Sequence, residues 1–121
     1  MLGIDIIDIE RFKKVALRTP SLLGRVFTPA ELAYCQKKKD PYPSLAARFA
    51  AKEAVRKLDY NMIKGIKYQD IEVIVEDSGK PKIRLHGKAL EQSVAFDTQT
   101  IAISLSHSQQ QAVAIAGLMK G

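Results

Sequence analysis

The chain has 121 residues, a formal charge of +6 at neutral pH, an isoelectric point near 9.5 and a single cysteine, Cys35. That length suits one domain, residues 1–121, with a core that needs neither disulfides nor structural zinc. A lone cysteine excludes an internal disulfide framework and reads as an inert structural thiol in an intracellular protein. The basic balance calls for an acidic partner: phosphate groups, nucleic acid, an anionic membrane surface or an acidic protein.

The first residues hold no basic n-region followed by an apolar h-region, so no secretory signal is expected. No apolar stretch is long enough to span a bilayer, and the expectation is a cytoplasmic protein with no membrane partner. Leu2 to Ile7 reads as a strand whose near-continuous β-branched residues suggest cover on both faces. A helix follows from Ile9 to Leu17 and stops before Thr19-Pro20, because a residue preceding proline avoids helical angles. Asp8 is placed to cap it. Thr28-Pro29-Ala30-Glu31 opens another helix with a capping threonine, proline at the first position and glutamate three residues after the cap. That helix ends in the run Lys37-Lys38-Lys39-Asp40, before Pro41 and Pro43. Ser44 then caps the main helix, which runs to about Asp59.

Beyond it the pattern changes to strands. Ile71–Val75 and Lys82–Leu85 flank Asp77-Ser78-Gly79-Lys80-Pro81, whose residues favour a hairpin turn. Gly87 to Phe96 reads as a helix. Thr100–Ser106 and Ala112–Leu118 read as two strands joined by a short polar turn. Helices interleaved with hairpin-linked strands predict an α+β fold, an antiparallel sheet with helices packed on one side.

Asp5 is a charge set in an isoleucine strand, a costly place for a carboxylate unless a cation, a hydrogen bond or a proton neutralises it. Glu53, in the alanine-rich main helix, is a candidate partner, since two carboxylates from separate elements can hold a hard divalent ion. The plainer reading of Glu53 is a solvated pair with Lys57, one turn on. At about 100° per residue, Ala47, Ala50, Ala51, Ala54 and Leu58 form one small-residue face of that helix, and Arg48, Lys52 and Arg56 a cationic stripe. His107 sits where a strand gives way to a polar turn and reads alone as a solvated turn histidine. His86 reads as a helix-start or surface residue. Arg11, Lys14 and Arg18 share a face of the first helix and form either a docking patch or a solvated basic surface.

Three segments carry a family resemblance. Gly3-Ile4-Asp5-Ile6, then Arg48-Phe49-Ala50-Ala51-Lys52-Glu53-Ala54 with Lys57, then Ser104-Leu105-Ser106-His107-Ser108 resemble the signatures of the holo-acyl-carrier-protein synthases, in order. These are the small bacterial branch of the 4′-phosphopantetheinyl transferases. Asp70-Ile71-Glu72-Val73 and Gly79-Lys80-Pro81 also resemble the family, so the likeness covers nearly the whole chain. It implies transfer of the phosphopantetheine arm of coenzyme A to a serine of an acyl carrier protein, with release of 3′,5′-ADP, in fatty acid biosynthesis. A polyketide or peptide carrier is the alternative within that chemistry. It further implies Asp5 and Glu53 as Mg²⁺ ligands and Lys57 facing the diphosphate. Arg48 and Lys52 would contact phosphates of coenzyme A, and His107, with Ser106 nearby, a nucleotide phosphate. Asp8 gains a secondary role beside the metal as an alternative to its cap. Arg11 would dock the acidic carrier, and the assembly would be a homotrimer with active sites shared between subunits.

The sequence departs from the family after the main helix, where a glycine-rich loop is replaced by Leu58–Gly65 with a single glycine. A loop of larger side chains cannot take all the positive φ angles that glycine permits. Its contacts to the pantetheine arm are therefore expected to differ. Two other readings compete: a basic α+β nucleic-acid-binding module, and a non-catalytic relative that keeps coenzyme A as a ligand. Against the first, there is no phosphate-binding glycine loop, zinc-ligand cluster or array of aromatics interleaved with Arg and Lys.

Overall fold

A computed structural model of the chain describes residues 1–59, 64–94 and 99–120. β1 (Leu2–Asp8) leads directly into α1 (Ile9–Arg18), with Asp8 as the N-cap. The Asp8 carboxylate accepts the backbone N–H of Arg11 at 2.9 Å, which satisfies one of the donors that a helix start leaves open. A six-residue helix, α2 (Ser21–Val26), follows; its short span and central glycine gave no periodic signal. α3 (Pro29–Gln36) opens on the full Thr28/Glu31 capping box and ends as the charged run begins.

The main helix, α4 (Tyr42–Arg56), begins three residues earlier than expected and ends three residues sooner. Pro41 occupies the cap position, and Ser44 lies inside the helix, where its hydroxyl serves Arg48. A single 3₁₀ turn (Tyr68–Asp70) precedes the hairpin of β2 (Ile71–Val75) and β3 (Pro81–Leu85). Gly79 stands at φ +89° in the turn, an angle that glycine accepts at no steric cost. α5 (Gly87–Val94) comes next; residues 95 and 96 of the expected helix lie outside the described residues, as do 60–63 of the Leu58–Gly65 loop. β4 (Gln99–His107) and β5 (Gln111–Lys120) complete the chain.

The strands form two antiparallel sheets, a three-stranded one in the order β1-β5-β4 and the separate β2-β3 hairpin. Asp5 pairs with Ala114, and Ala114 with Leu105 on its other side. α4 crosses one face of the larger sheet and is buried almost all round. Ala50, Ala51 and Ala54 join Ala114, Ala116, Ile71 and Val73 in one core. Leu45, Ala46 and Ala47 join Phe12, Val26, Phe27 and Cys35 in a second. Alanine facing alanine lets backbones approach, and the closest approach is at Gly3. A Cβ there would stand 2.0 Å from the Ala54 carbonyl oxygen, so only glycine lets β1 lie this near the end of α4.

The expectation of cover on both faces of β1 is wrong. Gly3, Asp5 and Ile7 face the helix, but Leu2, Ile4 and Ile6 are 74, 59 and 58 % exposed. With Met1, Ile115 and Met119 they make an exposed apolar patch on β1 and β5. No helix among the described residues is long and apolar enough to cross a membrane.

Candidate active site

The approach of β1 to α4 sets the centre of the site. Asp5 Oδ1 accepts the Lys57 ammonium at 2.9 Å, and the same Nζ donates to the Ile4 carbonyl at 3.0 Å. Asp5 Oδ2 is buried and has no hydrogen-bond partner among the described residues. Glu53 Oε1 is in the same condition; its ion-pair contact, with Arg56 Nε, is long at 3.9 Å. Two orphaned carboxylate oxygens are expensive in a protein interior, and such groups are almost always satisfied by a partner.

Both carboxylates bear on one neighbour, the phenol of Tyr68. Burial pushes the Tyr68 pKa up, and the Glu53 carboxylate raises it further, with Asp5 adding to the effect and Arg56 opposing it. Asp5 and Glu53 therefore share one electrostatic environment although 48 residues of chain separate them. Among the described residues no group of three or more His, Cys, Asp or Glu side chains is arranged for a metal ion. A pair of carboxylates completed by water is the donor set that suits Mg²⁺, which holds several waters and takes oxygen ligands. The residues present are compatible with such an ion, which Asp5 and Glu53 could hold.

A cleft of about 390 Å³ opens farther back along α4. Arg48, Ser106 and His107, expected to contact coenzyme A, all line it, together with Tyr34, Lys38 and Ser44. Arg48 Nη1 donates to the Ser44 hydroxyl at 2.7 Å and to its carbonyl at 3.1 Å. The guanidinium lies 4.5 Å from the centre of the Tyr34 ring, and Lys38 Nζ lies 5.2 Å from that same centre. Arg48 Nε is buried without a hydrogen-bond partner among the described residues. Arg48 and Lys38 outnumber the one acid in the lining, Asp40, so the cleft is cationic on balance. Five residues of helix, a rise of about 7.5 Å, separate Arg48 from Glu53. Tyr34 and Lys38 went unnoticed in the sequence because the charged run read only as the end of a helix.

Lys52 is the clear correction. Expected to meet a phosphate, it is 0 % exposed and ion-paired with Glu31 at 2.8 Å. It also donates to the carbonyls of Ile71 at 2.6 Å and Tyr68 at 3.0 Å. An ammonium has three donors, and all three are engaged inside the protein. Burial pulls its pKa down, opposed by the adjacent Glu31 carboxylate. The stripe drawn through Arg48, Lys52 and Arg56 is therefore no solvated surface: Arg48 and Lys52 are buried and Arg56 is half-buried.

Arg11, Lys14 and Arg18 are exposed on α1, as their spacing predicted. Arg11 also borders an apolar hollow of about 340 Å³ lined by Ile7, Phe12, Val15, Leu22 and Phe49. Asp8 is engaged as the helix cap. His86 does precede a helix, and its Nε2 lies 2.9 Å from Glu72 Oε1. Burial alone would raise the Glu72 pKa, but hydrogen bonds from His86 and Thr28 and the charges of His86 and Arg84 outweigh it. The net effect holds Glu72 below the usual carboxylate value.

A carboxylate pair flanked by lysine, beside a cationic cleft on the same helix, belongs to a known class. The family model of the 4′-phosphopantetheinyl transferase superfamily matches residues 1–116, and the chain belongs to that superfamily. Similar proteins include the holo-[acyl-carrier-protein] synthase of Moorella thermoacetica, 46% identical over 114 residues, which span 94% of this chain and 89% of that one. The synthase of Geotalea daltonii is 45% identical over 120 residues, 98% of this chain and 96% of its own. Among solved structures, the Helicobacter pylori synthase in complex with coenzyme A superposes with a TM-score of 0.81 at 31% identity, covering 98% of this chain and all of the other. The chain is an enzyme of this type, a phosphopantetheinyl transferase.

Proposed function

We propose that the chain, acting as one domain over residues 1–121, transfers the 4′-phosphopantetheine arm of coenzyme A to a serine of an apo acyl carrier protein. The reaction releases 3′,5′-ADP, depends on Mg²⁺ and serves fatty acid biosynthesis in the cytoplasm. The observation that carries this reading is the pair of orphaned oxygens, Asp5 Oδ2 and Glu53 Oε1, on either side of the β1–α4 contact.

The serine hydroxyl attacks the diphosphate phosphorus that bears the pantetheine. A new P–O bond forms and the bond to the nucleotide's 5′-phosphate breaks, so the leaving group gains negative charge. Asp5 and Glu53 would hold Mg²⁺, which would supply charge neutralisation and polarise phosphoryl oxygens when bound. Two of the three Lys57 donors are engaged by Ile4 and Asp5, which fixes the half-exposed ammonium and points its remaining capacity outward. That is the geometry of a preorganised donor for developing phosphate charge. The serine proton leaves to a carboxylate of the pair or to water. Arg48, Lys38, Ser106 and His107 hold the nucleotide end of coenzyme A in the cationic cleft.

The exposed basic face of α1, with Arg11 at its centre, receives the acidic carrier, and the apolar hollow beside Arg11 adds contact area. The exposed apolar residues of β1 and β5 support assembly into a homotrimer with sites shared between subunits. The test is mass spectrometry of apo carrier protein after incubation with coenzyme A and Mg²⁺. A mass gain of one phosphopantetheine, abolished by chelator and by Asp5→Ala or Glu53→Ala, is expected. Undiminished modification with chelator present, or by either variant, would contradict the metal assignment.

A further inference from the structure

Lys52 directly precedes Glu53, so its side chain leaves α4 about 100° away from the carboxylate. It enters the gap between α3, the 3₁₀ turn and β2, where its ammonium meets Glu31, the Tyr68 carbonyl and the Ile71 carbonyl. Those acceptors are themselves fixed. Glu31 Oε1 also accepts the Thr28 N–H at 2.8 Å, and Oε2 accepts the Val73 N–H at 2.8 Å. The Thr28 hydroxyl continues the chain by donating to Glu72 Oε2 at 2.8 Å, and Glu72 meets His86. A single ammonium thus ties α4 to the start of β2 and to the turn that carries Tyr68.

What Tyr68 does next connects this network to the reaction. Its ring packs on Phe49, with centres 5.6 Å apart, and lies beneath the Arg56 guanidinium at 4.7 Å. Arg56 is held from the other side by the Ile66 carbonyl at 3.2 Å and approaches Glu53 Oε1. Arg56 is thus the bridge between the Tyr68 ring and the Glu53 carboxylate. The backbone that Lys52 grips therefore carries the ring on which Arg56 stacks, and Arg56 borders Glu53.

We propose that Lys52 is a positioning residue: its buried ammonium fixes the Tyr68 turn against α4, so that Arg56, stacked on the Tyr68 ring, stays beside the Glu53 carboxylate and keeps it in place for a metal shared with Asp5. This rests on Asp5 and Glu53 being the metal pair, and it assigns the motif lysine a task different from phosphate contact. Groups that orient a ligating side chain commonly change metal affinity by about 10–100-fold when removed.

The test uses the full chain and two equilibrium measurements that need no turnover. Coenzyme A affinity is measured by calorimetry with chelator present, and Mn²⁺ affinity of the coenzyme A-bound protein by electron paramagnetic resonance. Lys52→Met should leave metal-free coenzyme A affinity within about twofold and weaken Mn²⁺ binding by about 10–100-fold. Because that variant leaves Glu31 buried and unpaired, Lys52→Met/Glu31→Gln is measured beside it. Tyr68→Leu, which removes the ring on which Arg56 stacks, should weaken Mn²⁺ in the same direction by several-fold. If Lys52→Met does not fold, the double variant and Tyr68→Leu decide. Weaker coenzyme A binding with unchanged Mn²⁺ affinity would make Lys52 a phosphate contact and overturn the proposal, as would unchanged Mn²⁺ affinity in every folded variant. Wild-type protein that binds no Mn²⁺ with coenzyme A would instead sink the metal-pair reading beneath it, a failure visible in the control alone.

Discussion

Gly3→Ala adds one methyl group at the point where β1 touches α4. The new carbon would lie 2.0 Å from the Ala54 carbonyl oxygen and 3.3 Å from Lys57 Cβ. Reaching even 3.0 Å from that oxygen requires about 1 Å of separation, and the obstacle is backbone, so no rotamer change relieves it. Overpacking of this kind costs about 1–3 kcal/mol, and a rigid backbone contact puts this case at the upper end. For a domain of this size that is a loss of about 10 °C in Tm, at roughly 4 °C per kcal/mol. The functional loss should exceed the stability loss. Moving β1 away from α4 carries Asp5 from Glu53 and stretches the Lys57 contact, and a 1 Å misplacement can cost about 100-fold in rate. Thermal unfolding by circular dichroism, paired with a phosphopantetheine transfer assay well below Tm, measures both effects. A Gly3→Ala protein with unchanged Tm and full activity would refute the claim that this close approach builds the site.

Other perturbations separate the remaining parts. Arg11→Glu should raise KM for the carrier about tenfold and leave KM for coenzyme A unchanged, since a reversed charge at a docking rim acts on association; steady-state kinetics with each substrate varied reads this. Ile4→Asp, on the exposed apolar face, should shift the protein to smaller species in light scattering, whereas an Ile4→Asp protein of unchanged mass would detach that face from assembly. Acid should destabilise the fold through Glu72. Its folded pKa lies below the ordinary 4.5, so its contribution is present above that value and is lost as pH falls through the folded pKa. Tm measured from about pH 6 down to about pH 3 should therefore fall more steeply in wild type than in Glu72→Gln.

Much of the site was legible because its residues carry their chemistry locally. A carboxylate among isoleucines signals a cost that something must offset, and the Thr28-Pro29-Ala30-Glu31 cap folds as its side chains dictate. Arg48, Ser106 and His107 come from distant segments, yet the family likeness placed them together and one cleft contains all three. Lys52 was misread for a physical reason. Its phosphate contact came from the family resemblance. A helical wheel, which knows only the lysine's own helix, could not correct it, because the acceptors Tyr68 and Ile71 lie 16 and 19 residues onward. The outer face of β1 was misread for another: an isoleucine run looks alike whether a helix or another surface covers it. Tyr68 left no trace at all, because its role depends on where a turn beyond the main helix returns to the end of α4.

The central claim is that Asp5 and Glu53 hold one divalent ion between them. Crystals of the protein grown with coenzyme A and Mn²⁺ test it through the anomalous scattering of the metal. The account predicts a single strong peak within coordination distance of both carboxylates, lost in crystals of Asp5→Ala. A peak bound by other side chains, or Asp5 and Glu53 each turned to separate partners with no metal between them, would contradict it.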